Sequence, residues 1–215
     1  MKAIGWLFLF SLVLAAALAG TQSRAQSLRD ELFQAIDAGN ATEVARLVRA
    51  GVHYTAKNEE GESPLFFAAE KGRREMVLLL LDNGADVKAR TPNGETALHA
   101  ASLNDDPALA ALLLERGAET AVANNDGETP LHWAAMTGTL SVARLLAEHG
   151  ASLRATDAAG NTPLHGAAES GNADLVAYLL SRKARPSARN KAGKRPIDLA
   201  RAGGHGEVVS LLSQK

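Results

Sequence analysis

Glycine recurs every 33 residues through most of this 215-residue chain, and the spacing does not slip. One series comprises Gly61, Gly94, Gly127, Gly160 and Gly193. Two further series with the same period are Gly39, Gly72, Asp105, Gly138, Gly171, Gly204 and Gly51, Gly84, Gly117, Gly150, Lys183. A fixed period of about 20–50 residues predicts stacked structural units rather than one compact core.

Each period predicts a pair of short helices. Two residues after each glycine of the first series stands a variant of Thr-Pro-Leu-His, beginning at Ser63, Thr96, Thr129, Thr162 and Arg195. Thr129 is suited to cap a helix whose first residue is Pro130. Gly138 ends that helix, and apolar residues from 140 to 148 then follow helical spacing. A polar linker rich in Asp, Asn and Gly leads to the next unit.

A 33-residue period with this Thr-Pro-Leu-His signature resembles the ankyrin repeat. The resemblance implies an all-α repeat solenoid of six helix pairs joined by β-hairpin-like loops. The pairs are expected to begin near Asp30, Ser63, Thr96, Thr129, Thr162 and Arg195. The expected domain spans 26–215, with an N-terminal cap (26–57), internal repeats (58–90, 91–123, 124–156, 157–189) and a C-terminal cap (190–215).

Two departures from the period predict local irregularities. Asp105 replaces the glycine between the helices of the third unit, so we expect that unit to be distorted. Lys183 replaces the glycine after the second helix of the fifth unit. A left-handed backbone at a non-glycine residue costs about 1 kcal/mol or more, so we expect a bend between the fifth and sixth units.

The first 25 residues have the form of a secretory signal peptide. Lys2 precedes an apolar run from Ile4 to Leu18, followed by small residues suited to cleavage after Ala19 or Ala25. We favour cleavage after Ala25, because a polar stretch separates it from the apolar run. The alternative is a membrane anchor formed by residues 4–20, although this run is shorter than the ~20 residues that span a bilayer. Both interpretations place the remainder outside the cytoplasm, in the periplasm or secreted, and the alanine-rich sequence favours a bacterial source.

The composition and the motifs argue against catalysis. The chain has no cysteine, which excludes disulfides, thiolate metal sites and cysteine nucleophiles. His99, His132 and His165 recur with the period, but equivalent residues of adjacent units lie roughly 8–10 Å apart, too far to share one zinc ion. The resemblance implies that they hydrogen-bond the backbone of the hairpin. We find no nucleophile, metalloprotease or phosphate-loop motif and expect no catalytic residue, cofactor or metal.

The resemblance implies that a protein partner binds the hairpin tips and the exposed edge of the first helices, on the concave side. Trp133 is the strongest candidate, since it is the only tryptophan after the signal peptide and tryptophan is enriched at interface hot spots. Core packing of the same side chain is the equal alternative. The other candidates are Phe67, Met136, Leu103, Glu59, Glu60, Glu62, Arg90, Asn93, Glu95, Asn125, Asp126, Glu128, Asn161 and Glu169.

Charge is distributed unevenly along the predicted stack. Residues 26–181 carry 12 basic and 22 acidic side chains, net −10, whereas residues 182–215 carry 9 basic and 2 acidic, net +7. The basic end could steer an acidic partner or an anionic membrane surface, or it could be only a solvated cap. The acidic majority and the export signal argue against nucleic acid, and we expect a monomer.

Three functions fit these features. The first is a scaffold or accessory factor for a periplasmic enzyme, without catalysis of its own. The second is an inhibitor or immunity protein whose acidic tips cover the basic active site of a toxic exported enzyme. The third is a hydrolase with an unrecognised acidic cleft.

Overall fold

A computed structural model describes residues 24–52 and 55–214. The expected signal peptide lies outside the described residues, except for Arg24 and Ala25. The described residues form helices only, in the order α1 (24–37), α2 (Ala41–Arg49), α3 (Pro64–Glu70), α4 (Arg74–Asp82), α5 (Ala97–Ala101), α6 (Pro107–Glu115), α7 (Pro130–Thr137), α8 (Leu140–Glu148), α9 (Pro163–Glu169), α10 (Ala173–Ser181), α11 (Pro196–Ala202) and α12 (Gly206–Ser213). None of the helices in these described ranges is long and apolar enough to cross a bilayer.

The helices form six pairs stacked in two layers, which confirms the predicted all-α solenoid. Odd-numbered helices pack on odd-numbered helices, and even-numbered helices form the second layer. Each helix is too short to be stable alone in water, so its stability comes from this stacking. Alanine pairs such as Ala134 and Ala135 are fully buried and let neighbouring helices approach closely. Leucines of both layers, for example Leu131 and Leu146, complete the continuous core.

The first helix of each internal unit begins as the sequence predicts. Thr129 is extended and precedes Pro130, and Ser63 accepts a hydrogen bond from the Phe66 N–H at 3.2 Å. Gly138 ends α7 in the left-handed conformation, with φ of 76°. Capping residues and proline therefore place the helix starts, and glycine places the turn.

The third unit is distorted, as Asp105 predicts. Its first helix α5 has five residues, whereas α3, α9 and α11 have seven. Asp105 does not take the left-handed conformation that glycine supplies in the other units. The chain therefore leaves the helix earlier, and the Asp106 carboxylate caps α6 by accepting from the Ala108 and Leu109 N–H groups at 3.0 and 3.2 Å.

Lys183 adopts the left-handed conformation, with φ of 68°. Its N–H donates to Leu180 O at 3.0 Å, and the Ala184 N–H donates to Leu179 O at 2.9 Å. The unit before has the same two bonds at Gly150 and Ala151. The backbone therefore accepts the strain at Lys183 and keeps the hydrogen bonds of the glycine turns, and the bend between the fifth and sixth units stays a prediction.

Candidate protein-binding surface

Five hairpin tips project from the same side of the stack. In each, a backbone N–H donates to the carbonyl four residues later, which closes a tight turn. The donor and acceptor residues are Asn58 and Glu62, Thr91 and Glu95, Asn124 and Glu128, Asp157 and Asn161, and Asn190 and Lys194, with N···O distances of 2.9–3.1 Å. We call the surface formed by these tips and by the exposed edges of the odd-numbered helices the hairpin face.

Backbone hydrogen bonds join neighbouring tips, with one exception. The N–H groups of Asn125, Ala158 and Lys191 donate to Asn93, Asp126 and Ala159 O, at 2.8, 2.6 and 2.9 Å. The position one period before Asn125 is Pro92, which has no N–H to donate. The tips of the second and third units therefore lack this bond, while the tips from the third unit to the sixth are joined.

Three histidines bind the first helices α5, α7 and α9 to the next hairpin, whereas α3 has Phe66 at this position. The Thr96 N–H donates to His99 Nδ1 at 3.0 Å, so this nitrogen carries no proton and Nε2–H donates to Glu128 O at 3.1 Å. His132 and His165 repeat the arrangement, with Nε2 3.2 and 3.1 Å from Asn161 O and Lys194 O. Burial lowers the pKa of all three, that of His99 to about 4. Each ring is thus a neutral connector between units.

Three of the candidate carboxylates are turned toward their own hairpins. Glu62 accepts from Asn58 Nδ2 at 2.8 Å, Glu95 from Thr91 Oγ1 at 2.8 Å, and Glu128 from Asn124 Nδ2 at 3.0 Å. All three are half-buried. Burial raises the pKa of Glu62 despite its bond to Asn58, and the nearby carboxylates of Glu70, Glu60 and Glu95 act in the same direction. These glutamates therefore stabilise the hairpins and also give the hairpin face negative charge.

The two aromatic candidates are half-buried and packed against the preceding unit. Trp133 Nε1–H donates to Glu128 Oε2 at 2.8 Å, and its ring meets the His99 ring edge-on with centroids 5.4 Å apart. Phe67 contacts Phe33 in the same manner, also at 5.4 Å. Both side chains therefore contribute to stacking while leaving part of the ring on the hairpin face.

Leu103 and Met136 are exposed apolar side chains at equivalent positions of adjacent units. Their exposed fractions are 40% and 54%, and Met136 is the most exposed of the large hydrophobic side chains in the described part of the chain. Glu70 and Glu169 occupy the same position in the units before and after. This row, which we call the central row, therefore runs glutamate, leucine, methionine, glutamate.

The remaining candidates lie on the tips themselves. Glu59, Glu60, Asn93 and Asp126 are exposed. Arg90 donates to Ala123 O, and Asn125 Nδ2 donates to Pro92 O at 3.1 Å, so these two side chains also connect neighbouring tips. Asn161 is half-buried and donates to Asp157 Oδ2 at 3.0 Å.

A cavity of about 170 Å³ opens on the hairpin face between the fourth and fifth units. Its lining consists of Glu128, His132, Met136, Asp157, Asn161, Thr162, Gly166 and Glu169. Gly166 stands where the second and fourth units have Phe67 and Trp133, so the missing side chain leaves this space open. The three lining carboxylates have no lysine or arginine within 4.0 Å among the described residues.

The basic end of the stack is residues 182–215, the last part of the fifth unit and the sixth unit. Asp198 accepts from Arg195 Nε at 3.2 Å and lies 3.7 Å from Arg201 Nη1. Hydrogen bonds from Arg195 are the main cause that lowers the Asp198 pKa to about 2. Four other cations of this end are exposed, with no carboxylate within 4.0 Å in residues 24–52 and 55–214: Lys183, Arg185, Lys191 and Lys194. This end is therefore cationic as the sequence indicates.

Comparison with protein families identifies the repeat. The model described as ankyrin repeats (3 copies) matches residues 32–124, 84–157, 104–190 and 153–215. The chain belongs to the ankyrin-repeat family. This ankyrin-repeat protein is accordingly a module for binding other proteins, and proteins of this kind are typically not catalytic. A comparison with curated proteins gives no match. Within the described ranges, no group of three or more His, Asp or Glu side chains is placed to hold a metal ion.

The sequence did not reveal a set of side chains that cap the preceding unit. Each donates to a carbonyl near the end of the preceding unit's first helix, where the last carbonyls have no intrahelical partner. The pairs are Arg73 with Asp37 O, Asn104 with Ala69 and Glu70 O, Thr139 with Ser102 O, Asn172 with Gly138 O, and His205 with Glu169 O, at 2.7–3.1 Å. Four residue types perform this task at five positions, so no single repeated residue marks them.

Proposed function

We propose that this protein is exported and binds a partner enzyme outside the cytoplasm through the hairpin face, as a scaffold or accessory factor. The exposure of Leu103 and Met136 in adjacent units is the observation that carries the proposal. Neither side chain is needed to fill the core, and both sit on a frame fixed by the histidine and capping bonds. Exposed apolar side chains on a rigid surface favour partner binding because their desolvation drives association without a large ordering cost.

A capture experiment with matched variants tests this surface. Mature protein carrying Met136→Lys is compared with the unchanged protein and with Leu78→Lys. Leu78 is a suitable control because it is 39% exposed but lies on α4, in the layer of even-numbered helices. We expect one partner from a periplasmic extract to bind the unchanged protein and Leu78→Lys, and to bind Met136→Lys at least tenfold less. Equal recovery with both lysine variants would reject the hairpin face as the binding surface.

The activity of the captured enzyme separates two roles. A scaffold or accessory factor should raise the activity or lifetime of its partner, so deleting it should lower that activity. An inhibitor or immunity protein should reduce the activity when added in stoichiometric amount. The half-buried glutamates of the hairpin face favour this second candidate, since they would complement a basic active site. A hydrolase would instead turn over substrate with no partner added.

Export is tested by the mass of the mature chain. Cleavage after either Ala19 or Ala25 would keep Leu28, the first apolar side chain of α1 that packs against the core, and a polar stretch separates only Ala25 from the apolar run. We therefore expect the mature protein to begin at Gln26 and to appear in the periplasmic fraction. A mass that still includes residues 4–20, together with recovery in the membrane fraction, would support the anchored alternative.

A further inference from the structure

We propose that the hairpin face binds a partner segment in which an apolar side chain is followed by an arginine or lysine. The apolar side chain lies on Leu103 and Met136, and the cationic side chain enters the cavity beside Gly166. The inference rests on the proposed function, since it assigns the chemistry of the partner at the same face.

The apolar half of the site is the centre of the central row. Equivalent residues of adjacent units lie roughly 8–10 Å apart, so Leu103 and Met136 form one short apolar strip. Met136 also lines the cavity, which makes the strip continuous with it. A side chain lying on this strip is therefore next to the cavity opening.

The cationic half of the site is defined by charge and shape together. Glu128, Asp157 and Glu169 line the cavity, and their oxygens have no cationic partner within 4.0 Å among the described residues. Glu128 and Asp157 already accept hydrogen bonds from their own hairpin, whereas the exposed Glu169 carboxylate makes no bond within residues 24–52 and 55–214. Lysine and arginine complement this lining, because their apolar stems can lie on Met136 while the charge reaches the carboxylates.

The neighbouring positions of the central row and the next unit are less favourable for the cation. At the opposite end of the central row, Glu70 is paired with Lys71 at 3.5 Å, so its charge is already offset. One unit beyond the cavity, the exposed Lys191 and Lys194 reverse the sign of the hairpin face. Along the central row, Glu169 is therefore the carboxylate whose charge no cation within 4.0 Å offsets among the described residues.

Gly166 provides a way to close the cavity without breaking the fold. A Cβ at this position would lie 3.2 Å from Met136 Cγ, which is part of a flexible side chain. Phe67, Trp133 and Leu199 occupy the equivalent position in other units, so the frame accommodates a large residue there. Gly166→Leu should fill the space, and Glu169→Gln should remove a charge while leaving an exposed position otherwise unchanged.

Methyl NMR of methionine-labelled protein measures the binding directly. The chain has three methionines, of which Met136 lines the cavity and Met76 is 2% exposed in the core, so Met76 is an internal control. The probe is N-acetyl-leucyl-arginine amide, and the matched probe is N-acetyl-leucyl-citrulline amide, which has a similar shape without the charge. We expect a saturable shift of the Met136 methyl with the arginine probe, and at least fivefold weaker binding of the citrulline probe.

The variants decide whether the cavity and its charge are responsible. Glu169→Gln should weaken binding of the arginine probe at least threefold, Gly166→Leu should abolish the shift, and the control Glu148→Gln on α8 should leave it unchanged. Three results would overturn the proposal: equal affinity for the two probes, an affinity of Glu169→Gln for the arginine probe equal to that of the unchanged protein, or a shift of the Met76 methyl signal as large as that of Met136.

If capture still depends on Met136 while the arginine probe does not bind, only this inference fails. If the probe binds but capture is insensitive to Met136→Lys, the proposed function fails instead.

Discussion

The buried histidines should make this protein lose stability between pH 6.5 and pH 4. His99 is fully buried, and its Nδ1 accepts the Thr96 N–H, so a proton on that nitrogen would break the bond. Its pKa falls from an ordinary value of about 6.5 to about 4, mainly through burial. The histidine binds a proton more tightly in the unfolded chain than in the folded one. The contribution of neutral His99 to the free energy of unfolding is therefore fully present above pH 6.5 and decreases as the pH falls toward 4.

The expected loss can be worked out for His99 alone. A shift of one pKa unit corresponds to 1.36 kcal/mol. His99 therefore lowers the free energy of unfolding by about 2 kcal/mol at pH 5 and by about 3 kcal/mol at pH 4, relative to neutral pH. Burial also lowers the pKa of His132 and His165, and both add to the loss in the same direction. These amounts are a large part of the roughly 5–15 kcal/mol that stabilises a typical domain.

Urea denaturation followed by circular dichroism between pH 7.5 and pH 5 measures this dependence. His99→Gln is less stable at neutral pH, but its stability should fall with pH less steeply, by up to about 1.4 kcal/mol per pH unit. His149→Gln is the control, because it removes an exposed histidine. If His99→Gln and the unchanged protein have the same slope, His99 is not the neutral connector that its hydrogen bonds indicate.

Three substitutions test other parts of the frame by the same denaturation assay. Asn104→Ala removes the side-chain donor to the carbonyls of Ala69 and Glu70 and should cost about 1–2 kcal/mol. An unchanged midpoint would contradict the capping role. Lys183→Gly relieves the left-handed backbone and should stabilise by about 0.5–1 kcal/mol, and a loss of stability would show that the turn is not strained. Gly160 has a φ of 80°, and in Gly160→Ala the new Cβ would lie 3.0 Å from the backbone nitrogen of Lys191. This substitution should destabilise the protein by at least about 1 kcal/mol, and an unchanged stability would refute the prediction.

Predictions from the sequence were most successful where one residue type repeats at one position. Thr, Pro and Gly mark helix starts and turns because their effects on the backbone are local. The irregular third unit and the left-handed Lys183 were predictable for the same reason, since each occupies a position whose backbone the period specifies. Lys183 keeps the left-handed turn because its two hydrogen bonds outweigh about 1 kcal/mol of backbone strain.

The binding surface was predictable only as a set of positions. Register placed Met136, Glu128 and Glu169 near the hairpin face, but it did not show that Glu128 is held by Asn124 and Trp133 while Glu169 is exposed. It also did not reveal the cavity, which exists because Gly166 has no side chain to fill the space. Whether a polar side chain turns inward depends on neighbours in the adjacent unit, and those neighbours differ from unit to unit.

The sequence by itself determined the architecture of this protein. A period of 33 residues with its capping residues specifies the helix pairs, and pairs that cannot bury their apolar faces alone must stack. Only the tertiary structure decided which side chains join the units and which remain available to a partner. The physical reason is that stacking depends on short-range backbone preferences repeated along the chain, whereas the capping bonds, the central row and the cavity arise from contacts across unit boundaries. Those contacts involve residues about 29 to 37 positions apart, beyond the range of any local preference.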